Sequence, residues 1–424
     1  MDLTQKRPVS SWEESDWRAK KYEVKDAFSP AAPINEADHF TGRLVEIRRL
    51  VDAVFERGRH PILFGERGVG KTSLGNTFHK LIGDAASRSV YPIWYQITPD
   101  DDYSSIWKSV FEQIMVQYED DAGNPVQERL SERYDNIRPG DVVRELKAAS
   151  DGKNKVIILD EYDNLTDTAS SSLIPHTIKA LSDRGVNATI MLIGVSDSID
   201  SLVENHVSVS RNITEIKMPR MDEPEAELLI IERTKRLGVQ IKPEAKWKII
   251  LLSRGLPSYL HQLARDSILE AVESKTLIVT EQHVDQAIRL LATQSDQSIY
   301  AAYSKAVGSN NSNALFRQVL LACAMAKSDD LGQFRPADVI EPLSKILGRK
   351  VEISNFSSQL TSFLSEKRGF VLERRGEKRS YKYRFTEPKM QPYVIMRGIS
   401  DGVLSEDALS ILSPPVQPSL PLTI

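Results

Sequence analysis

The chain of 424 residues sets 55 lysines and arginines against 59 aspartates and glutamates, a net charge of −4 that excludes a global attraction to nucleic acid or membrane and leaves such binding to a local patch. A hydrophobic share of 41% beside 27% charged residues describes a globular polypeptide long enough for two or three domains. The single cysteine, Cys323, excludes an internal disulfide and reads as a core thiol among Leu320, Leu321, Ala322 and Met325.

The first residues, Met1 to Gln5, show no apolar stretch suited to a signal peptide, and no apolar run reaches about 18 residues; no membrane partner and a cytoplasmic location are expected. Residues 1–35 are polar and hold Pro8, Pro30 and Pro33, so an extended arm is expected, with a short helix around 12–21. Thr41 can cap a helix whose apolar positions Leu44, Ile47, Leu50, Val51 and Val54 fall at helical spacing. His60 and Pro61 introduce the run Ile62, Leu63, Phe64, which ends at a glycine-rich turn before a helix over 71–82. A strand over 90–97 precedes an amphipathic helix over 104–118, and 119–140, with Gly123, Asn124 and Pro125, reads as a surface insertion. A helix over 142–149 leads to the most apolar strand, 156–159, with further strands at 189–195 and 213–218. Short apolar runs alternating with helices indicate a parallel sheet covered on both faces.

After Pro219 helices are expected at 223–237, 243–254, 257–273 and 281–293. A linker-like run, 308–313, separates them from helices at 313–327, 335–347 and 354–367 and a hairpin. The tail holds Pro414, Pro415, Pro418 and Pro421 and is expected to be partly disordered.

Gly65-Glu66-Arg67-Gly68-Val69-Gly70-Lys71-Thr72, followed by Ser73, matches G-x-x-x-x-G-K-[ST] between an apolar strand and a helix. The glycines let backbone amides turn inward around a phosphate, and the helix N-terminus adds its positive dipole end. Lys71 supplies a point charge to the β/γ-phosphates and Thr72 a hydroxyl to Mg²⁺, so ATP with Mg²⁺ is expected. Val156-Ile157-Ile158-Leu159-Asp160-Glu161 adds a buried strand ending in two carboxylates. Asp160 would hold Mg²⁺ through water, and Glu161 would polarise the attacking water. The bland alternative is a solvated acidic turn, since Asp163 is near. A small-molecule kinase fits less well, because the Asp-Glu pair suits water as nucleophile and no acceptor pocket is readable.

Phe40-Thr41-Gly42-Arg43, the phosphate loop, the strand ending at Asp160-Glu161 and the strand over 189–195 occur in the order of AAA+ ATPases. The chain resembles that family over roughly 36–295, most of all its origin-recognition-like and STAND-type bacterial branch, whose G-x-P element Gly255-Leu256-Pro257 resembles. The resemblance implies an α/β fold, a P-loop NTPase αβα parallel-sheet core with a helical lid, with Phe40 and Arg43 near the adenine and Pro257 at the nucleotide. Ser196 or Asp197 would sense the γ-phosphate, and Arg211, with Arg220 competing, would reach a neighbouring subunit's ATP in a homo-oligomer. The second-sensor arginine is not evident around Leu256, Pro257 and Ser258; Arg265 lies further along that helix. A partner protein is a further expectation from the resemblance.

Three helices and a hairpin in which Tyr381, Tyr383 and Phe385 alternate make a winged helix. Lys367, Arg368, Arg374, Arg375, Lys378, Arg379, Lys382 and Arg384 face only Glu373 and Glu377 in this stretch, so double-stranded DNA contact through 367–384 is an expectation beside a protein-interaction winged helix. The expected domains are an arm at 1–35, a P-loop ATPase core at 36–220, a helical lid at 221–297, a winged-helix-like domain at 310–400 and a tail at 401–424. Two readings stay open: an ATPase coupling Mg²⁺-dependent hydrolysis to conformational change and DNA, or a STAND-like nucleotide-gated protein-interaction switch with slow hydrolysis and no DNA contact.

Overall fold

The computed structural model describes residues 11–28, 43–119, 124–149, 152–195, 207–294, 297–308, 314–376 and 380–404. Two compact units make up the chain, one of Pro33–Glu66 and Gly70–Pro219, the other of Met1–Ala32, Arg67–Val69 and Arg220–Ile424. The Thr41 cap, the 309–313 part of the linker and the tail beyond 404 lie outside the described residues.

The N-terminal arm is not wholly extended. Residues Glu14–Ala27 form α1, opened by a capping box between Glu13 and Asp16. It answers to the short helix expected around 12–21 and runs further along the chain, because Trp17, Val24 and Phe28 bury a single narrow stripe.

In the first unit α2 (Leu44–Phe55) precedes β1 (His60–Phe64) and α3 (Lys71–Ala85). His60 is buried and accepts from the Ile190 amide on Nδ1 at 2.9 Å, so Nε2 carries the proton and donates to Ser182 Oγ at 3.0 Å. Burial lowers its pKa to about 4, keeping the ring neutral as a brace at the start of β1.

Next come β2 (Val90–Gln96) and α4 (Tyr103–Glu112), which Asp102 caps. The expected helix over 104–118 ends early, because β3 (Met115–Glu119) turns back on β4 (Pro125–Arg129) as an antiparallel pair. The intervening 119–140 is not simply surface: Leu130 and Ile137 are buried against Ile106, Trp107 and Phe111. α5 (Pro139–Ala148) leads into β5 (Asn154–Asp160). α6 (Thr168–Asp183) went unforeseen because its start is rich in serine and it contains Pro175. Its Ile174, Ile178 and Leu181 nonetheless fall at helical spacing and are buried, and Asp167 caps its N-terminus. β6 (Ala188–Gly194) and β7 (Ile213–Lys217) complete the sheet.

The strands run in the order β2-β5-β6-β1-β7, all parallel. β6 is inserted between β1 and β5, with Phe64 beside Gly194 and Leu159 beside Leu192. The C-terminal ends of β1, β6 and β5 therefore lie side by side. β5 and β6 are buried along almost their whole length, as strands covered on both faces must be.

The second unit opens with α7 (Glu223–Leu237), α8 (Pro243–Ser253), α9 (Pro257–Glu273) and α10 (Glu281–Gln294), and the two-residue strands β8 (Gln240–Ile241) and β9 (Ile278–Val279) pair between them. α1 packs on this set: Arg233 donates to Ala27 O at 2.9 Å and Lys20 to Leu237 O at 3.1 Å. α11 (Gln297–Val307), α12 (Phe316–Met325), α13 (Ile340–Leu347) and α14 (Ser357–Ser362) follow, then β10 (Leu372–Arg375), β11 (Lys382–Phe385) and α15 (Met390–Ser400). α12 falls within the expected 313–327, and α13 and α14 are shorter than the expected 335–347 and 354–367, because 3₁₀ turns at Pro336–Val339, Ile353–Asn355 and Glu366–Arg368 take up residues at their ends. Cys323 is fully buried. Among the described residues no helix is long and apolar enough to cross a membrane.

Candidate nucleotide site

The loop after β1 is built from backbone conformations that only glycine holds cheaply. Gly68 and Gly70 lie at φ +82° and +96°, where a Cβ is strained. Val69 between them is fully buried and Glu66 nearly so. Gly70 is the N-cap of α3, so the loop leads directly into the positive end of the helix dipole at Lys71, Thr72 and Ser73. Lys71 Nζ curls back onto the loop, donating to Gly65 O at 3.1 Å and Glu66 O at 2.9 Å. Arg67 lies exposed at the loop tip.

β5 delivers Asp160 beside this helix. Its Oδ1 accepts from the Glu161 amide at 2.9 Å, whereas Oδ2 is buried and has no partner. The Thr72 side chain lies against the same carboxylate. Burial pushes the Asp160 carboxyl above the usual carboxylate range, outweighing the opposing pull of the Glu161 amide, the Thr72 hydroxyl and Lys71. Glu161 leaves the strand in the left-handed region (φ 54°, ψ 44°), rare for a residue with a side chain. It opens the 3₁₀ turn Tyr162–Asn164, and its Oε2 accepts from Asn164 Nδ2 at 2.9 Å. Asp163 Oδ1 accepts from the Val195 amide at 3.3 Å, just past β6. In the sequence Asp163 reads only as part of an acidic turn, and Asn164 does not stand out. The one available signal was a polar Asp-Asn pair placed directly after the two carboxylates.

The fold thus brings Gly65, Glu66, Gly70, Lys71, Thr72, Ser73, Asp160 and Glu161 to one edge of the sheet. It does not bring Arg211 to them. Arg43 is buried, donates to Pro219 O at 2.9 Å and pairs with Glu46 at 3.6 Å. Arg211 precedes β7, whose first residue Ile213 registers with His60 at the start of β1. It therefore stands at the sheet edge opposite the loop, paired with Asp183 at 2.9 Å. Pro257 is the first residue of α9, in the unit that also includes Arg67–Val69 of the loop. Arg220, the competing arginine, is engaged within its own chain by Gln391 Oε1 at 2.6 Å. Arg265 pairs with its neighbour Asp266 at 2.7 Å. Phe40 and Ser196 lie outside the described residues.

Residues 39–192 match the family model described as AAA ATPase domain. A search of curated proteins found no match. Among solved structures, a Walker-type ATPase of Pyrococcus abyssi aligns at 13% identity with a TM-score of 0.51, over 86% of this chain and 98% of that one, a likeness of fold. The ORC2 protein of Aeropyrum pernix, in ADPNP-ADP complexes, aligns at 13% identity and a TM-score of 0.47, over 85% and 91% of the two chains. The ORC1 protein of the same organism, in complex with DNA, aligns at 16% identity and a TM-score of 0.47, over 92% and 96%.

Proposed function

We propose that this chain, whose residues 39–192 are a nucleotide-binding AAA ATPase domain, binds ATP with Mg²⁺ at the loop Gly65 to Ser73 and hydrolyses it with Glu161 as base. One observation carries the reading: a buried carboxylate oxygen of Asp160 without a protein partner, beside the Thr72 side chain. A buried anion left unsatisfied is costly, and a hard cation ligated by oxygen relieves it. Thr72 and Asp160 are the residues that would hold Mg²⁺, which when bound neutralises charge on the phosphates.

The rest belongs to the chain's own groups. The loop from Gly65 through Gly70 wraps the phosphates with backbone amides. Lys71, now on two loop carbonyls, exchanges them for β/γ-phosphate oxygens. Glu161 accepts the proton of the attacking water. Phe40 and Arg43 on the adenine side, Ser196 past β6 and Pro257 at the start of α9 remain proposed contacts. Arg211 stands away from its own site, so the catalytic part proposed for it is on a neighbouring copy in a homo-oligomer.

The proposed organisation is an N-terminal arm at 1–35, a core at 36–220, a helical lid at 221–297, a winged helix at 310–400 and a tail at 401–424, of the origin-recognition-like branch, with turnover coupled to a conformational change. The β10–β11 hairpin with the basic residues of 367–384 is the proposed contact to double-stranded DNA.

Titration of the purified chain with a fluorescent ATP analogue tests the site. Lys71→Ala is expected to abolish binding, and unchanged affinity would sink the assignment. Glu161→Gln is expected to bind ATP and stop turning it over; normal turnover would remove Glu161 as base.

A further inference from the structure

Asn164 has its side chain held from two directions. Its Nδ2 donates to Ile97 O at 3.1 Å, just past the end of β2, and to Glu161 Oε2 at 2.9 Å. Both partners are acceptors, so chemistry decides the amide's orientation: turned over, its oxygen would face two other oxygens. The backbone repeats the clasp, with the Asn164 amide on Glu161 O at 2.9 Å.

The turn is anchored on its other flank as well, where Asp163 accepts from the Val195 amide beyond β6. β2 and β6 are the two neighbours of β5 in the sheet. The turn Tyr162–Asn164 is therefore tied to the chain ends on both sides of the strand that delivers Asp160 and Glu161. A left-handed backbone at a residue with a side chain persists only where its surroundings over-determine it, and here the bracing on two flanks supplies that.

We propose that Asn164 is the positioning residue for the Glu161 carboxylate. Anchored at the end of β2, it occupies Oε2, removes the rotational freedom of a long side chain and leaves Oε1, which has no hydrogen-bond partner among the described residues, as the proton acceptor. The assignment rests on Glu161 being the base, and it adds a residue that takes no part in phosphate, metal or proton chemistry itself. A base must lie within hydrogen-bond reach of its proton, and small misplacements are costly in rate.

Steady-state kinetics of the full-length protein with ATP and Mg²⁺ test it. Asn164→Ala is expected to lower kcat about tenfold while KM for ATP and the melting temperature stay unchanged. Asn164→Asp keeps the volume, removes both donors and sets a carboxylate against Glu161, so its kcat falls at least as far. Because the residue acts through Glu161, adding Asn164→Ala to Glu161→Gln is expected to lower the residual turnover no further.

An unchanged or raised kcat in Asn164→Ala, a rise in KM alone, or an additive loss in the double variant would each overturn the assignment. So would loss of folding in both Asn164 variants, which would make the residue a determinant of stability alone. Glu161→Gln separates the two levels. Retained turnover there removes the base and this assignment with it, whereas a dead Glu161→Gln beside a fully active Asn164→Ala removes this assignment only.

Discussion

Arg220 Nη1 donates to Gln391 Oε1 at 2.6 Å, joining positions 171 residues apart. The same nitrogen reaches Arg254 O at 3.2 Å, and the buried Gln391 donates in turn to Ala324 O at 2.9 Å. Arg254 adds a bond to Ala326 O at 3.2 Å, and its burial beside Arg220 lowers its pKa to about 10. α8, α12 and α15 within the second unit thus share one polar network under the surface.

Gln391→Ala is expected to destabilise that unit by about 2–3 kcal/mol, because it strands a guanidinium contact and the Ala324 carbonyl away from water. Urea unfolding measures this directly. A loss below about 0.5 kcal/mol, the scale of an ordinary surface substitution, would show that the network carries little weight.

Gly75 lies on the face of α3 pressed against the sheet, where a Cβ would come within 2.5 Å of Ile193 Cδ1 and 2.9 Å of the Trp94 ring. Gly75→Val is expected to cost about 2 kcal/mol by overpacking. It also lifts the helix that carries Lys71 and Thr72, so ATP affinity falls with stability. Unaltered melting and unaltered affinity together would show that α3 does not depend on this close approach.

Asp160 carries a pH dependence whose sign follows from its raised pKa. Below its ordinary value of 3.8 it is protonated in folded and unfolded chains alike and costs nothing. As pH rises through the folded value, the buried charge destabilises the metal-free protein relative to the unfolded chain. Asp160→Asn is therefore expected to raise the melting temperature of the metal-free protein at pH 7, with the gain shrinking toward acid pH, and to abolish stabilisation by Mg²⁺ with ATP. A lower melting temperature at pH 7 would contradict the buried-charge argument.

The basic hairpin is less charged than its composition, since Lys382 pairs with Asp329 at 2.7 Å and both Arg375 and Arg384 pair with Glu373. Arg374, whose guanidinium lies 4.1 Å over the Tyr381 ring, and the exposed Lys367 are better placed for phosphate. Double-stranded DNA affinity measured across a salt series should lose about one unit of log–log slope for each of Arg374→Ala and Lys367→Ala, and less for Lys382→Ala. Binding that ignores salt, or no binding at low salt, would remove DNA from the proposal.

The helices expected at 223–237, 243–254 and 257–273 are legible because they carry local signals: Asp222 before 223–237, Pro243 and Pro257 at first turns, Gly238 after the end of α7. α11 has no counterpart among the expected helices. α6 and α15 are not legible either. Pro175 and Pro392 lie inside these helices or at their starts and read locally as breakers, while burial of Ile174, Ile178, Tyr393 and Ile395 against the rest of their units outweighs that local preference. The first strand of the 115–129 hairpin reads up to Tyr118 as the end of a helix, because Ile114, Val116 and Tyr118 suit either period over so short a run, and the remainder reads as part of a surface insertion.

The amino-acid sequence by itself determined the phosphate loop, the acidic pair and the parallel sheet, because each is local chemistry: glycines where amides must converge, and a run of branched apolar residues ended by carboxylates. Only the tertiary structure decided which polar groups attend them. That Asn164 holds Glu161 and that Asp160 keeps an unpartnered oxygen depend on β6 being inserted between β1 and β5 and on β2 flanking β5. So does the placing of Arg211 at the far edge of the sheet, which follows from the register of β7 against β1. Strand order and register are set by packing among residues distant in the chain, and no local pattern encodes them.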